Sequence, residues 1–286
     1  MPQPENTALF EAQRPRLLRL AYRMLGSVAE AEDVVQDAWL RWSEASDIES
    51  PPAWLTRVVT RLCLDRMKSA RARRETYFGT WLPEPLLEPE AIADDVTLTL
   101  MLALERLSPL ERAAFLLHDV FEVSLGDVAA TLGRDAAAVR QLAVRARRHV
   151  QESKSRYMVE DAEAERIAQA FFAATRDGDT AALQAMLAED VVIHADGGGR
   201  VLAFRNPIRG IARVLRLYAS LFRKFGDAAT LLRTQRIDGL PGFVSLDRGD
   251  VLQTTALAIE DGCITAIYIV RNPDKLGHVI QALPVN

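Results

Sequence analysis

The sequence predicts a multidomain chain: two all-α domains, the second carrying a helix-turn-helix, followed by a C-terminal α+β domain. Three observations carry this. Apolar residues recur at helical spacing through residues 7–76 and again through 96–150. Residues 125–144, LGDVAATLGRDAAAVRQLAV, have helix-turn-helix spacing. After about residue 157, strand-like runs alternate with turn signals.

In the first domain, residues 6–76, Leu9, Phe10, Leu17, Leu18, Leu20, Ala21 and Leu25 mark one helix, which Gly26-Ser27 ends. Ala29 to Ser43 forms the next, with Glu30, Glu32, Asp33 and Asp37 early and Trp39, Leu40 and Trp42 late. Residues 44–50 are a polar loop. Pro51-Pro52 starts a third helix that runs to about Thr76, since proline suits a first turn. Residues 77–95 hold Trp81-Leu82-Pro83-Glu84-Pro85, then Pro89 and further acids. Prolines fix φ and remove donors, so this stretch reads as an extended acidic linker.

The second domain, residues 96–150, contains a capping box at Ser108 and Glu111. In its helix-turn-helix, Ala129 sits where two helices cross closely, and Gly133 supplies the positive φ of the turn. Val139 and Leu142 return the second helix to the first. Arg140, Gln141, Arg145 and Arg148 then point outward, suited to base edges and phosphates. A plain α-hairpin with a solvated basic face is the alternative.

In the third domain, residues 158–286, helices at 160–176 and 179–188 precede strands at 190–195, 200–205, 228–237, 243–247, 251–259 and 263–271, with a helix at 207–225. This reads as helices packed on a curved antiparallel sheet.

Composition bounds the function. The chain has 286 residues, 49% of them hydrophobic, which excludes wholesale disorder. Its net charge of −4 is unusual for a nucleic-acid binder. The basic residues, however, cluster: one group runs from Arg57, Arg61, Arg66 and Lys68 to Arg71, Arg73 and Arg74, and a second from Arg134 through Arg148 to Arg156. Each is the footprint of a polyanion-binding surface, or singly a solvated helix face. Cys63 and Cys263 both lie in apolar stretches, which predicts neither a disulfide framework nor a metal site. No signal peptide is legible, and no apolar run approaches the roughly 18 residues of a membrane span. A soluble cytoplasmic protein with no membrane partner follows.

These features coincide in one family. EDVVQDAW (residues 32–39), PAWL (52–55) through Arg57, and Asp65-Arg66 resemble the core-polymerase-binding helix and the promoter −10 region of bacterial sigma factors of the extracytoplasmic-function (ECF) type. WLPEP (81–85), DGGGR (196–200) and NPDKL (272–276) resemble signature segments of the subgroup with a fused C-terminal SnoaL-like domain. One departure stands out: many family members carry Asn where Arg61 stands here, which leaves the −10 base preference open.

The resemblance implies a region 2 domain, a region 4 domain and a cone-shaped SnoaL/NTF2-like domain. It implies a promoter-specificity subunit, not an enzyme, whose partners are the RNA polymerase core (β′ and β subunits) and promoter DNA. Asp33, Gln36, Asp37 and Leu40 would dock on the β′ clamp coiled coil. Support of the helix dipole by acids is the alternative for Asp33, and fits Gln36 and Asp37 less well. Trp54, Arg57, Arg61, Lys68 and Arg71 would capture the −10 strand by stacking and phosphate contact, although Trp54 also suits a core. At the −35 element, Arg140 and Gln141 would read bases, Arg145, Arg147 and Arg148 would hold phosphate, and Ala136 and Ala137 would admit close approach. The C-terminal domain would regulate in cis. Its contacts would run through Trp81, Pro83 and Glu84, through Asp196, Gly197, Gly198, Gly199 and Arg200, and through Asn272, Pro273, Asp274, Lys275 and Leu276. DGGGR is also explained as a turn, and Asn272-Pro273-Asp274 as a helix start. His194 and Asp196, with Asp247, Arg248 and Tyr268, leave open an acid–base pair in an apolar pocket, and with it an isomerase or hydrolase carrying a DNA-binding module. A one-component repressor is a further alternative. No cofactor is implied; a small-molecule ligand of the C-terminal domain is compatible with the fold.

Overall fold

The computed structural model describes residues 4–75, 77, 79–87, 97–151, 160–248 and 250–283, with backbone alone at 4, 5 and 69–75. The chain divides into two compact units, one of Met1–Glu75 and Thr99–Lys154, the other of Thr76–Leu98 and Ser155–Asn286. The proline-rich segment therefore belongs to the C-terminal unit.

The first unit begins with α1 (Pro4–Leu25), α2 (Val28–Glu44) and α3 (Pro51–Glu75). Gly26 breaks the chain at φ 72°, and Ser27 caps α2 by accepting from the Glu30 amide at 3.2 Å. Leu17, Leu20, Tyr22, Val34, Leu55 and Val59 fill the core between the three helices.

Next come α4 (Leu98–Glu105) and α5 (Pro109–Phe115), which runs on into one π-helical turn, Leu116–Val120. The capping box forms: Ser108 Oγ accepts from the Glu111 amide, and Glu111 Oε2 accepts from the Ser108 amide at 3.1 Å. The helix-turn-helix comprises α6 (Leu125–Leu132) and α7 (Ala136–Gln151). Gly133 takes the left-handed conformation at φ 63°, and Ala129 and Val139 are buried, as the spacing predicted. One anchor was not legible. Arg112 is 1% exposed, donates to the Met24 and Leu104 carbonyl oxygens at 2.7 and 2.9 Å, and pairs with Glu105 at 2.8 Å. It ties α5 to the end of α1.

The second unit is α+β: α8 (Asp161–Asp177), α9 (Thr180–Met186), β1 (Leu187–Asp196), β2 (Ile208–Arg209), α10 (Ile211–Phe225), β3 (Thr230–Ile237), β4 (Leu240–Asp247), β5 (Val251–Glu260), β6 (Cys263–Val270), a 3₁₀ turn (Pro273–Lys275) and α11 (Gly277–Ala282). The strands form one sheet in the order β2-β1-β6-β5-β4-β3. Phe171, Val214, Tyr218, Phe243, Leu257 and Ile267 join α8 and α10 to it in one core.

Two expectations are corrected. The sheet is mixed, not wholly antiparallel, because β1 pairs parallel with β6. Alternation reports which face is buried but not strand direction. Residues 200–205 form no strand. Instead the Gly197 carbonyl oxygen accepts from the Arg200 and Val201 amides at 3.0 and 3.1 Å, turning the chain, and the edge strand is the short β2. Accordingly α10 starts after Gly210 (φ 87°), not at residue 207. Among the described residues no helix is long and apolar enough to cross a membrane, and no His, Cys, Asp and Glu cluster could hold a metal ion.

Candidate nucleic-acid interface and linker clamp

The α2 residues lie on one side of their helix, where Gln36 and Leu40 are exposed. Leu40, at 55%, is an apolar side chain in water beside acids. Asp33 and Asp37 both pair with Arg66 of α3, at 3.2 and 3.0 Å. Arg66 is thus not a free member of the basic cluster: it sets the rotamers of the two acids and leaves one net negative charge. Partial burial would lower its pKa, but bonds to the two carboxylates outweigh that and hold it above the usual guanidinium value. Pairing across some thirty residues leaves no local sequence signal.

On α3, Trp54 is half-buried, its ring 5.8 Å from that of Trp42, so it sits at the edge of the core. Arg57 is half-buried and Lys68 exposed, with Asp65 2.8 Å away. Arg61 is exposed, but its Nε donates at 3.3 Å to the carbonyl oxygen of Thr131, at the end of α6. The Arg71 side chain lies outside the described residues. The −10 set therefore does not form one uncommitted basic patch.

The recognition surface is more open. Ala136, Ala137, Arg140, Gln141 and Arg148 are all exposed on α7, and Asp135 accepts from the Ala138 amide at 2.7 Å to cap it. Two of the arginines also carry partners of their own: Arg145 donates from Nε to Glu111 at 2.8 Å, and Arg147 pairs with Asp119.

The three signature segments of the second unit converge on one carboxylate. Asp196 is fully buried at the end of β1. Its Oδ1 accepts from the Tyr77 hydroxyl at 2.6 Å and the Gly198 amide at 3.0 Å. Its Oδ2 accepts from the Leu82 amide at 2.9 Å and from Lys275 Nζ at 2.8 Å. Lys275 also donates to the Leu82 carbonyl oxygen, and its ammonium lies 4.2 Å from the centroid of the Trp81 ring. Asn272 works in two directions: Oδ1 accepts from the Asp274 amide at 3.1 Å, the cap its sequence predicted, and Nδ2 donates to the Tyr77 hydroxyl at 3.0 Å. Burial and the adjacent Asp196 push the Tyr77 hydroxyl pKa up, keeping it a donor.

The glycines follow from this geometry. A Cβ on Gly197 would collide with the Val201 carbonyl oxygen, and one on Gly198, at φ 61°, with the Asn272 amide. Gly199 and Arg200 lie outside the contact, and Arg200 pairs at the surface with Asp274 at 3.3 Å. Pro83, Glu84 and Leu276 are buried; Pro273 is exposed.

The segment is held further on as well. The Leu86 amide donates to Asp238 Oδ1 at 3.0 Å and the Asp238 amide to the Leu86 carbonyl oxygen at 2.9 Å, while His278 Nε2 lies 2.7 Å from the Pro85 carbonyl oxygen. The linker is thus no extended spacer over residues 82–87, all of which are buried. Tyr77, Asp238 and His278 were missed. Asp238-Gly239 reads as a plain turn, and its φ of 48° is close to that of Asp261 in the Asp261-Gly262 turn; the near-complete burial of Asp238 sets it apart. All four hydrogen bonds of Asp196 are thus made within the fold, and His194 stacks on Tyr268 at 5.2 Å.

Comparisons with known proteins agree with this architecture. Residues 9–73 match Sigma-70 region 2, residues 97–150 Sigma-70 region 4, and residues 168–256 the SnoaL-like domain. The chain is 40% identical to the ECF RNA polymerase sigma factor SigJ of Mycobacterium tuberculosis over 286 aligned residues, spanning 93% of this chain and 91% of that one. It is 34% identical to the probable ECF RNA polymerase sigma factor SigI of the same species, over 94% of both. The crystal structure of M. tuberculosis SigJ superposes with a TM-score of 0.78 at 34% identity, covering 98% of this chain and 100% of that one. With two sigma-70 regions, a SnoaL-like domain and near full-length relatives, the chain belongs to the ECF RNA polymerase sigma factors.

Proposed function

We propose that the protein directs core RNA polymerase to specific promoters and that its C-terminal domain sets this activity in cis, without catalysis of its own. In this reading α2 docks on the β′ clamp coiled coil through Asp33, Gln36, Asp37 and Leu40. α3 takes the −10 strand through Trp54, Arg57, Arg61, Lys68 and Arg71, with the β subunit as a further partner. Arg140 and Gln141 on α7 read the −35 bases, with Ala136 and Ala137 close to the groove and Arg148 on phosphate. Arg61 and Arg145 spend only Nε on Thr131 and Glu111, so their remaining N–H groups can hold phosphate while those contacts orient the side chains.

The observation that carries the regulatory part is the four-donor grip of Asp196, in which the segment joining the two sigma regions supplies Tyr77 and Leu82 and the C-terminal end supplies Lys275, with Asn272 bonded to Tyr77. The C-terminal domain thereby fixes the chain that spaces the −35 and −10 readers. Run-off transcription with reconstituted core enzyme tests this on the full chain, on Lys275→Met and on a chain ending before Asn272. Both variants change promoter-dependent transcript yield by several fold. Equal yield from all three refutes cis regulation, and no promoter-dependent transcript from any refutes the sigma-factor reading.

A further inference from the structure

Away from the clamp, the second unit holds a cavity of about 70 Å³ between α8, α10 and the concave face of the sheet. One wall is apolar and aromatic: Phe171, Phe172, Tyr218 and Phe243. The other is polar, since the alternation of β4 and β5 turns Ser245, Asp247 and Thr255 inward, with Arg248 and, just past the end of β6, Arg271 beside them.

This polar wall is incomplete. Ser245 and Thr255 are 1% and 2% exposed, yet neither hydroxyl has a hydrogen-bond partner within the protein, nor do Nε of Arg248 and Nε of Arg271. Buried polar groups are rarely left so, because each forfeits its bonds to water. Asp247 answers the other ends of the two arginines, at 3.4 Å to Arg248 and 3.1 Å to Arg271, both through one oxygen. Two guanidiniums against one carboxylate leave one positive charge in a lined cavity. Arg176 at the rim adds none, being paired with Asp177 at 2.7 Å. Burial pushes the Tyr218 hydroxyl pKa up, so it stays a neutral donor.

We propose that this cavity is a binding site for a small organic monoanion: a carboxylate on a short alkyl body, since the volume is about half that of a cavity that takes up benzene. The body fills the aromatic side. The carboxylate accepts from the arginine Nε–H groups and the Ser245 and Thr255 hydroxyls, which charge-assisted bonding favours. A single excess charge selects a monoanion over a phosphate dianion, and the small volume selects a compact ligand. The Arg271 amide also donates to the Asp196 carbonyl oxygen at 2.8 Å, and Asn272 follows in the clamp, so site and clamp share one segment. Binding itself does not depend on the regulatory reading.

Isothermal titration of the full-length protein with acetate, propionate and butyrate, against propionamide and inorganic phosphate, tests the site. At least one carboxylate saturates at one equivalent, and the amide and phosphate bind at least about tenfold more weakly. Arg271→Gln weakens the carboxylate by about tenfold or more with unchanged circular dichroism. Should that variant misfold, Arg248→Gln and the double change Ser245→Ala with Thr255→Val carry the same expectation. The proposal is overturned if no carboxylate saturates, if amide or phosphate binds as tightly, or if the folded variants bind like the parent. The cavity is then a water-filled space and no site.

Discussion

Asp196 and Asp247 are both buried carboxylates at strand ends of one sheet, and the chain treats them differently. Asp196 accepts four hydrogen bonds from four residues, three of them distant in sequence, and one a lysine that is 8% exposed. Asp247 faces two arginines that each keep an unpartnered buried Nε, beside two unpartnered hydroxyls. At Asp196 every donor is spent within the fold. At Asp247 donors exceed acceptors, which suits a ligand that arrives from outside. Burial of charge alone does not separate a structural site from a binding site; the balance of donors and acceptors does.

The sharpest way to break this comparison is to remove each carboxylate in turn. Asp196→Ala leaves Lys275 as an uncompensated buried cation and orphans the Leu82 and Gly198 amides, which costs about 3–5 kcal/mol. Asp247→Ala costs less than half as much, because Arg248 and Arg271 remain half-buried and can turn toward water. Urea denaturation of the two variants measures both, and equal losses would erase the distinction. Next in size is Gly198→Ala, which puts a methyl group into the Asn272 amide at a left-handed backbone position. It costs about 1–3 kcal/mol and speeds chymotryptic cleavage after Tyr77 and Trp81 relative to the parent.

At the Asp247 end the sign differs. Ser245→Ala removes a buried hydroxyl without a partner, so stability changes by less than about 1 kcal/mol and in the stabilising direction. A thermal melt showing clear destabilisation would mean that Ser245 is already bonded, and would weaken the contrast. The difference also marks what the sequence made legible. Helix periods, the Ser108 capping box, the Gly133 turn and the Asn272 cap are local, and apart from the start of α10 each appears in the structure where it was read. Asp196, Lys275 and the glycines were legible as signature segments, but their convergence on one carboxylate was not, nor was the part of Tyr77. Those bonds cross 79 to 195 residues and follow from the path of the chain. The parallel β1–β6 pair, Arg66 between Asp33 and Asp37, and the anchor Arg112 escaped for the same reason. The polar cavity wall was half visible, because Asp247 and Arg248 stand out in sequence while Ser245 and Thr255 look like ordinary strand residues.

A carboxylate near the surface completes the scale. Partial burial alone would raise the Glu111 pKa, but hydrogen bonds from Arg145 and Ser108 and the charge of Arg145 hold it below the ordinary 4.5. A depressed folded pKa means stability that is present above pH 4.5 and lost as the pH falls through the folded value. Arg145 is 54% exposed, so solvent and salt screen the pair and its worth at neutral pH stays below about 1 kcal/mol. Arg145→Ala therefore lowers stability by a few tenths of a kcal/mol at pH 7 and low salt. The gap to the parent closes as the pH falls through the depressed folded value, where Glu111 protonates in both proteins. Denaturant melts of both between pH 3 and 7 check this. A gap that persists at pH 3 would assign the effect to lost packing of the arginine stem and leave the two buried carboxylates without a surface reference.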